Sequence, residues 1–466
     1  MTASGRVAPG NTSPRAVLAT VCLAQFVVPF MFTAVGVALP AMGRDLGATA
    51  LQLGLVEQLY ALSLAATMLT FGRLGDLIGR KRVFLAGLAL FTALTAALAL
   101  AGSVELLIAQ RFAQGLAAAM LLSGSMALVA SAFPPEVRGR MLGVVSGFTY
   151  AGLTLGPLLG GFVTTHLGWR FVFWMVAPPG AAACVLGLWK MRGEWREARG
   201  ESMDWPGSAL YAVAVSLVML GASHLGDRPG LGGAMMGAGL LGTALFVALE
   251  RKRTHPLLDL SLFAQSRFFS LSCLAAMGIY AATLGVMFFL SLYLQVARGL
   301  APSQAGLVLL IQPLIQTVVS PLSGRLADRI APGRLANLGM ALNTAGLVLA
   351  ALFLGPDAPL WLVGMVLACI GLGVGIFITP NTVVILGGVQ PRQYGMASGI
   401  VGTMRTLGLA LSMTTVTLVF SLRMGGQAVT TATLPGFLSS MQACLLAFAA
   451  FSCLGLGASL GRGRKG

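Results

Sequence analysis

The chain has 466 residues, 57% of them hydrophobic and only 9% charged, against about a quarter charged in an average soluble domain. This composition excludes a water-soluble globule and identifies an integral membrane protein. The formal net charge of +16 would suit a nucleic-acid partner, but the basic residues gather in short loops between apolar runs, so no nucleic acid is expected.

The apolar runs last about 18 to 25 residues, long enough for helices rising 1.5 Å per residue to cross a hydrocarbon core of about 30 Å. Alternating strands of the β-barrel type do not occur in the sequence. The first run is full length and lacks a cleavage site, so a spanning helix is expected there rather than a signal peptide. Spans are predicted near 16 to 39, 51 to 72, 83 to 101, 104 to 132, 141 to 165 and 170 to 189. A charged stretch, KMRGEWREARGESMDW, follows at 190 to 205, then spans near 206 to 223 and 230 to 249. Six more lie near 268 to 296, 304 to 323, 335 to 354, 360 to 386, 396 to 420 and 437 to 460.

Fourteen spans put both termini on one side. Of the 30 Lys and Arg, five (Arg44, Arg170, Arg228, Arg298, Arg423) fall on the opposite side and two (Arg111, Arg405) within spans, leaving 23 in the tails and alternate loops. The positive-inside rule then makes both termini cytoplasmic, in the cell (inner) membrane.

GLVEQLYALSLAATMLTFGRLGDLIGR, from Gly54, has a counterpart in GLVLLIQPLIQTVVSPLSGRLADRI, from Gly306; the offset of 252 also superposes Asp76 on Asp328. The repeat runs in one sense across the membrane, which implies two halves related by an axis along the membrane normal, with a site between them near the midplane. The predicted fold is therefore all-α: two six-helix bundles in parallel pseudo-repeat plus a two-helix insert. Its divisions are residues 1–190, 191–255 and 256–466.

Three motifs carry chemistry. In GRLGDLIGRKR, glycines including Gly72 permit a tight turn, and Asp76 can cap the next helix or pair with an arginine such as Arg80 or Arg82. An anchoring basic loop is the simpler reading, but the degenerate copy GRLADRIAPGR, containing Asp328, favours a specific latch. In GLTLGPLLGG, Gly152, Gly156 and Gly160 share a helix face for close packing, and Pro157 bends or hinges the span. In IAQRFAQG, Arg111 lies about seven residues into its span, where a cation costs roughly 2.5 to 3.5 kcal/mol and usually faces a bundle interior. Snorkelling to the interface is the competing reading. The six cysteines (Cys22, Cys184, Cys273, Cys369, Cys444, Cys453) show no metal or disulfide spacing and are read as packing residues. No metal and no cofactor is expected.

These motifs together resemble the major facilitator superfamily, in its fourteen-helix branch of drug:proton antiporters, over essentially the whole chain. Gly72 to Arg82 resembles the conserved loop between helices 2 and 3; Arg111, Gln114 and Gly115 match the helix-4 motif. Gly152, Gly156, Pro157, Gly160 and Gly161 match the helix-5 motif associated with antiporters. WRFVF at 169 to 173, HPLLDLSLF at 255 to 263, YLQVARGLAPSQAG at 293 to 306 and GMASGIVGTMRTLG at 395 to 408 are similar to this branch as well. The resemblance also places an arginine at Arg405 without suggesting a distinct role for it. Two departures stand out. FMFTAVGVALP has Met31 in place of the branch's usual helix-1 acid and Gly36 in place of an asparagine, and Leu55 replaces a common tryptophan while Tyr60 is kept.

Of the 14 acidic residues, only Glu57, within LGLVEQLY, lies well inside a span. Glu57 and Arg111 both sit on helices running from outside to inside, each roughly 9 to 11 Å below the boundary, so they are expected at one level. Glu57, Tyr60, Ser63, Thr67 and Thr70 fall within a sector of about 140°, which should face protein or water, while Gln58 lies elsewhere on the wheel. The repeat mate of Glu57 is Leu309, so the fold alone does not require an acid there. Removal from water favours the neutral acid and Arg111 favours the carboxylate, so helix movement between states could make Glu57 a proton carrier in place of the missing helix-1 acid. A permanent ion pair is the other reading. Candidate cavity residues are Gln25, Phe30, Tyr60 and Tyr150 in the first half and Gln312, Gln316, Phe377 and Asn381 in the second, polar groups among apolar walls that suit amphipathic compounds.

The resemblance implies export of a small organic substrate in exchange for protons by a monomer in the lipid bilayer. No Walker sequence for ATP is present. A metabolite, lipid or peptide exporter or facilitator without helix-1 coupling is the alternative, and a sensor or scaffold that no longer transports is the second. An enzyme is not expected, since His166, His224 and His255 lie in or near loops without a nucleophile.

Overall fold

The computed structural model describes residues 13–461 apart from 197, 199, 254–255, 259–262, 264–265, 328 and 389–393. Asp328 and His255 therefore lie outside the described residues. The fourteen apolar runs form fourteen helices long enough to cross a membrane. The first bundle contains α1 (Pro14–Leu46), α2 (Ala50–Ile78), α3 (Arg80–Leu98), α4 (Val104–Ala132), α5 (Pro135–His166) and α6 (Arg170–Lys190). The insert is α7 (Trp205–His224) and α8 (Pro229–Glu250). The second bundle contains α9 (Arg267–Ala297), α10 (Pro302–Ala327), α11 (Pro332–Phe353), α12 (Leu360–Gly387), α13 (Tyr394–Arg423) and α14 (Leu434–Leu460).

Packing inside the bundles repeats helix for helix. In the first, α1 packs on α5 and α6, α4 on α2 and α3, and α3 on α6; in the second, α9 packs on α13 and α14, α12 on α10 and α11, and α11 on α14. Adding eight to each number converts one set into the other, as a parallel repeat requires. The contacts between bundles obey the same rule, α5 against α10 and α2 against α13, with α1 against α9 on the pseudo-axis.

Helix ends follow local backbone chemistry more than hydropathy. α1 continues past Arg44 and stops where Gly47 takes φ 63°, the left-handed conformation that glycine adopts without strain. α2 begins two residues later with a capping box: Thr49 Oγ1 accepts from Gln52 N at 3.2 Å and Gln52 Oε1 from Thr49 N at 2.9 Å. Gly72 does not form the expected turn. Helix α2 runs through it to Ile78, and Gly79, with φ 126°, makes the turn instead. Asp76 closes α2 by accepting from Arg80 Nε at 2.7 Å. The segment after α6 covers this corner: Glu194 Oε1 accepts from Lys81 N at 2.9 Å, its Oε2 lies 3.4 Å from Arg82 Nε, and Ala198 N donates to the Asp76 carbonyl.

The glycines of α5 let two neighbours approach. A side chain at Gly152 would collide with the Phe26 carbonyl of α1, and one at Gly160 would lie 2.8 Å from Ala34 Cα; Gly156 is closed in the same way by Thr33. On another face, Gly161 abuts the Pro302 carbonyl, and Gly306 abuts that of Pro157, so the motif joins the two bundles as well as helices within one. Pro157 remains within a continuous α5.

Hydrogen bonds between the bundles cluster at the end remote from the termini. Ser291 Oγ donates to the Gly36 carbonyl at 2.7 Å, Gln295 Nε2 to that of Val37 at 2.8 Å, and Ser303 N to Thr165 Oγ1 at 2.9 Å. Ala50 N donates to the Gln427 carbonyl at 2.8 Å. At mid-depth, Thr154 Oγ1 lies 3.0 Å from Thr317 Oγ1, and Thr406 Oγ1 donates to Met68 Sδ. The bundles are thus joined from the far end to the middle.

Candidate functional site

A sealed charge pair is built by α2 and α4, whose approach requires Gly115: a side chain there would strike the Tyr60 carbonyl and Ser63 Oγ. With the helices this close, Arg111 Nη2 lies 3.1 Å from Glu57 Oε2, and both side chains are sealed from solvent at 0% and 1% exposure. The depth argument from sequence holds. Arg111 also donates through Nη1 to Gln114 Oε1 at 2.7 Å and through Nε to the Val56 carbonyl at 3.3 Å, and its guanidinium lies 4.2 Å from the centre of the Tyr60 ring. Gln114 in turn donates to Thr95 Oγ1 on α3 at 2.8 Å, and Thr95 to the Phe91 carbonyl at 2.6 Å.

Three of the five Arg111 N–H donors are thus engaged, one on each nitrogen, while Glu57 is held through one oxygen. Glu57 Oε1 and the Tyr60 hydroxyl are buried without a hydrogen-bond partner among the described residues. The predicted polar stripe faces protein: Ser63 is buried, and Thr67 Oγ1 donates to the Ser63 carbonyl at 2.7 Å. Tyr60 belongs to this cluster, with its ring 5.7 Å from that of Phe32 on α1. Met31, at the position of the missing acid, is fully buried among apolar neighbours.

Gln58, on the other side of α2, holds the insert. Its Nε2 donates to the Met219 carbonyl at 2.8 Å and its Oε1 accepts from Ser223 Oγ at 3.0 Å. Tyr211 of α7 donates to the Ala65 carbonyl at 3.2 Å, and α7 also packs on α13. The insert thus spans the line where α2 meets α13.

The predicted cavity residues divide into two groups. Gln25 donates to Ser125 Oγ at 2.6 Å and accepts from Thr149 Oγ1 at 3.3 Å, tying α1 to α4 and α5. Phe30 and Phe377 are buried at 1% exposure, and Asn381 Nδ2 donates to the Ser272 carbonyl of α9 at 3.2 Å. These four are engaged in helix packing. The others stand on the helices that meet between the bundles: Tyr150 is half-buried and close to Ser320, while Gln312 and Gln316 are buried on α10, Gln312 with Oε1 unpartnered among the described residues. Sequence reasoning missed Tyr280 on α9, which is near both Tyr150 and Arg405. Nothing in its local sequence marks it, because its importance arises from three helices of both bundles converging.

Two further motifs act as braces at the far end. In WRFVF, Asp45 Oδ2 accepts from Trp169 Nε1 at 3.1 Å and from Arg170 Nη1 at 2.6 Å, fixing the start of α6 to the end of α1. In YLQVARGLAPSQAG, Tyr293 donates to the Gly355 carbonyl at 2.8 Å and Arg298 to that of Pro356 at 3.1 Å.

Two pseudo-equivalent six-helix bundles with an internal charge cluster define a multi-pass membrane transporter. Comparison with known proteins gives the family. The Major Facilitator Superfamily model matches residues 21–413, and the chain belongs to that superfamily. It is 30% identical over 396 residues to riboflavin transporter RibZ of Clostridioides difficile, covering 85% of this chain and 86% of that one. It is 33% identical over 381 residues to multidrug resistance protein Stp of Mycobacterium tuberculosis, covering 80% and 70%. The tetracenomycin C resistance and export protein of Streptomyces glaucescens is 29% identical, with 88% and 77% covered. Among solved structures, a bacterial homologue of the human lysosomal transporter Spinster, inward-facing and unoccupied, shares the fold with a TM-score of 0.70 at 17% identity, covering 96% and 97%. The family and these relatives are transporters, not enzymes.

Proposed function

We propose that this protein exports small amphipathic organic compounds in exchange for protons, with both termini in the cytoplasm and Glu57 as the proton carrier. The observation that carries the reading is the sealed Glu57 and Arg111 pair, in which one carboxylate oxygen has no partner. Removal from water favours the neutral acid and the guanidinium favours the carboxylate, so a change in either contact or wetting would move the Glu57 proton. Multidrug and antibiotic-export relatives support the substrate class.

Alternating access supplies the coupling. The bundles are joined at the end that the orientation places outside, so this state opens toward the cytoplasm. Parting the far-end contacts among α1, α9, α5 and α10 would open the outer side, wet the Glu57 cluster and allow proton entry. Gly152, Gly156, Gly160 and Pro157 shape the surface on which the bundles move; Gly72, Asp76, Arg80, Arg82, Gln114 and Gly115 hold the first bundle rigid.

Vesicles containing the purified chain, given a pH gradient and a panel of lipophilic dyes and riboflavin, test the reading. Gradient-driven accumulation of dyes is expected. Flux that ignores the gradient would overturn proton exchange. Selective movement of riboflavin would favour a second reading, metabolite transport, for which the riboflavin relative is the supporting observation.

A further inference from the structure

Arg405 is a second cation within a span. It lies six residues inside the apolar span Gly399–Arg423, about 9 Å along the helix axis from the terminus-side end. Unlike Arg111, it forms no hydrogen bond or ion pair among the described residues. It is half-buried rather than sealed. Among the described residues no acid neutralises it: Glu57, the one acid well inside a span, is held by Arg111.

The surroundings of Arg405 belong to both bundles. Gly408, one turn further along α13, brings α9 so close that a side chain there would lie 2.6 Å from the Met277 carbonyl and 2.8 Å from Tyr280 Cβ. Tyr280 of α9 and Tyr150 of α5 are both within electrostatic reach of the guanidinium, and Tyr150 stands close to Ser320 on α10. Among the described residues, a cation without a countercharge thus stands within a span where the bundles meet, near the phenols of Tyr280 and Tyr150.

We propose that Arg405 is the anion-recognition point of the transport site, and that the preferred substrates are amphipathic organic compounds bearing a carboxylate. The substrate supplies the countercharge that the protein lacks. A planar guanidinium can grip a carboxylate through two parallel hydrogen bonds, and the tyrosine rings offer apolar faces to the body of the compound and hydroxyls to its polar edge. The inference rests on the transporter reading above but not on proton exchange, since recognition is an equilibrium property of the state described.

Isothermal titration calorimetry on the full detergent-purified chain, with a biphenyl carboxylate and its uncharged carboxamide as probes, tests it without any pH gradient. The wild type should bind the carboxylate at least about tenfold more tightly than the carboxamide. Arg405→Gln should bind both with the affinity of the carboxamide, and Arg405→Lys, which keeps the charge but loses the fork, should retain part of the preference. Carboxamide binding and the melting temperature report that each variant is folded; if R405Q does not fold, the intermediate preference of R405K is the deciding result. Equal binding of the two probes by the wild type, binding of neither, or a full carboxylate preference in R405Q or R405K would overturn the proposal. Failure of gradient-driven flux would count against proton exchange alone.

Discussion

A carboxylate and a guanidinium that leave water together lose hydration and gain each other, and removing only one partner leaves the worse state. For Arg111→Gln, which strands Glu57 in an apolar site, we expect a loss of about 3 to 5 kcal/mol in stability. The double change of Glu57→Gln and Arg111→Gln should be less harmful than Arg111→Gln alone, and thermal unfolding of the four proteins in one detergent checks this. Additive losses would show that the two residues do not interact. That the pair meets was legible in the sequence, because two spans of the same direction carry opposite charges at one depth. The single-sided hold on Glu57 was not, because it depends on side-chain placement that helix spacing cannot specify. The environment of Arg405 was illegible for a related reason: Tyr280, Tyr150 and Arg405 are far apart in sequence and meet only through the packing of α9, α5 and α13.

Helices were legible as apolar runs of membrane length, but their ends were not. Hydropathy stops α1 near 39, whereas the backbone stops it at Gly47; hydropathy stops α2 at Gly72, whereas Gly79 provides the turn. Charged residues at a membrane boundary remain helical when water or a partner satisfies them, so composition marks the membrane edge rather than the helix edge. The α5 glycines were legible as a small-residue face, and the structure adds that α1 and α10 are the helices received. Gly156→Val should overpack the α1 contact and cost roughly 1 to 3 kcal/mol, read as a lowered melting temperature. An unchanged melting temperature would mean that α1 and α5 separate easily there. Gly79→Ala should also destabilise, since φ 126° disfavours a side chain and the Glu194 carboxylate fills the space.

The molecule as a whole is two equivalent bundles with unequal ends. Contacts reach from the far end to mid-depth, and the insert braces α2 and α13 along the same line. If transport requires these far-end contacts to part, a disulfide between Thr165→Cys and Ser303→Cys should stop it, and a reductant should restore it, with the parent chain unaffected by either treatment. Full transport by the crosslinked protein would exclude opening at this end. The equivalence of the bundles makes the departures from it informative, and the clearest is Glu57 against the buried Leu309. An acid that one bundle has and its equivalent lacks is not required by the repeat itself.

The central claim is that Glu57 carries the proton. Its most direct test measures, in vesicles of wild type and of Glu57→Gln, both substrate exchange at equal pH and substrate accumulation driven by a pH gradient. The account predicts that the wild type does both, and that the glutamine variant exchanges substrate but no longer accumulates it. Undiminished gradient-driven accumulation by the variant would contradict it.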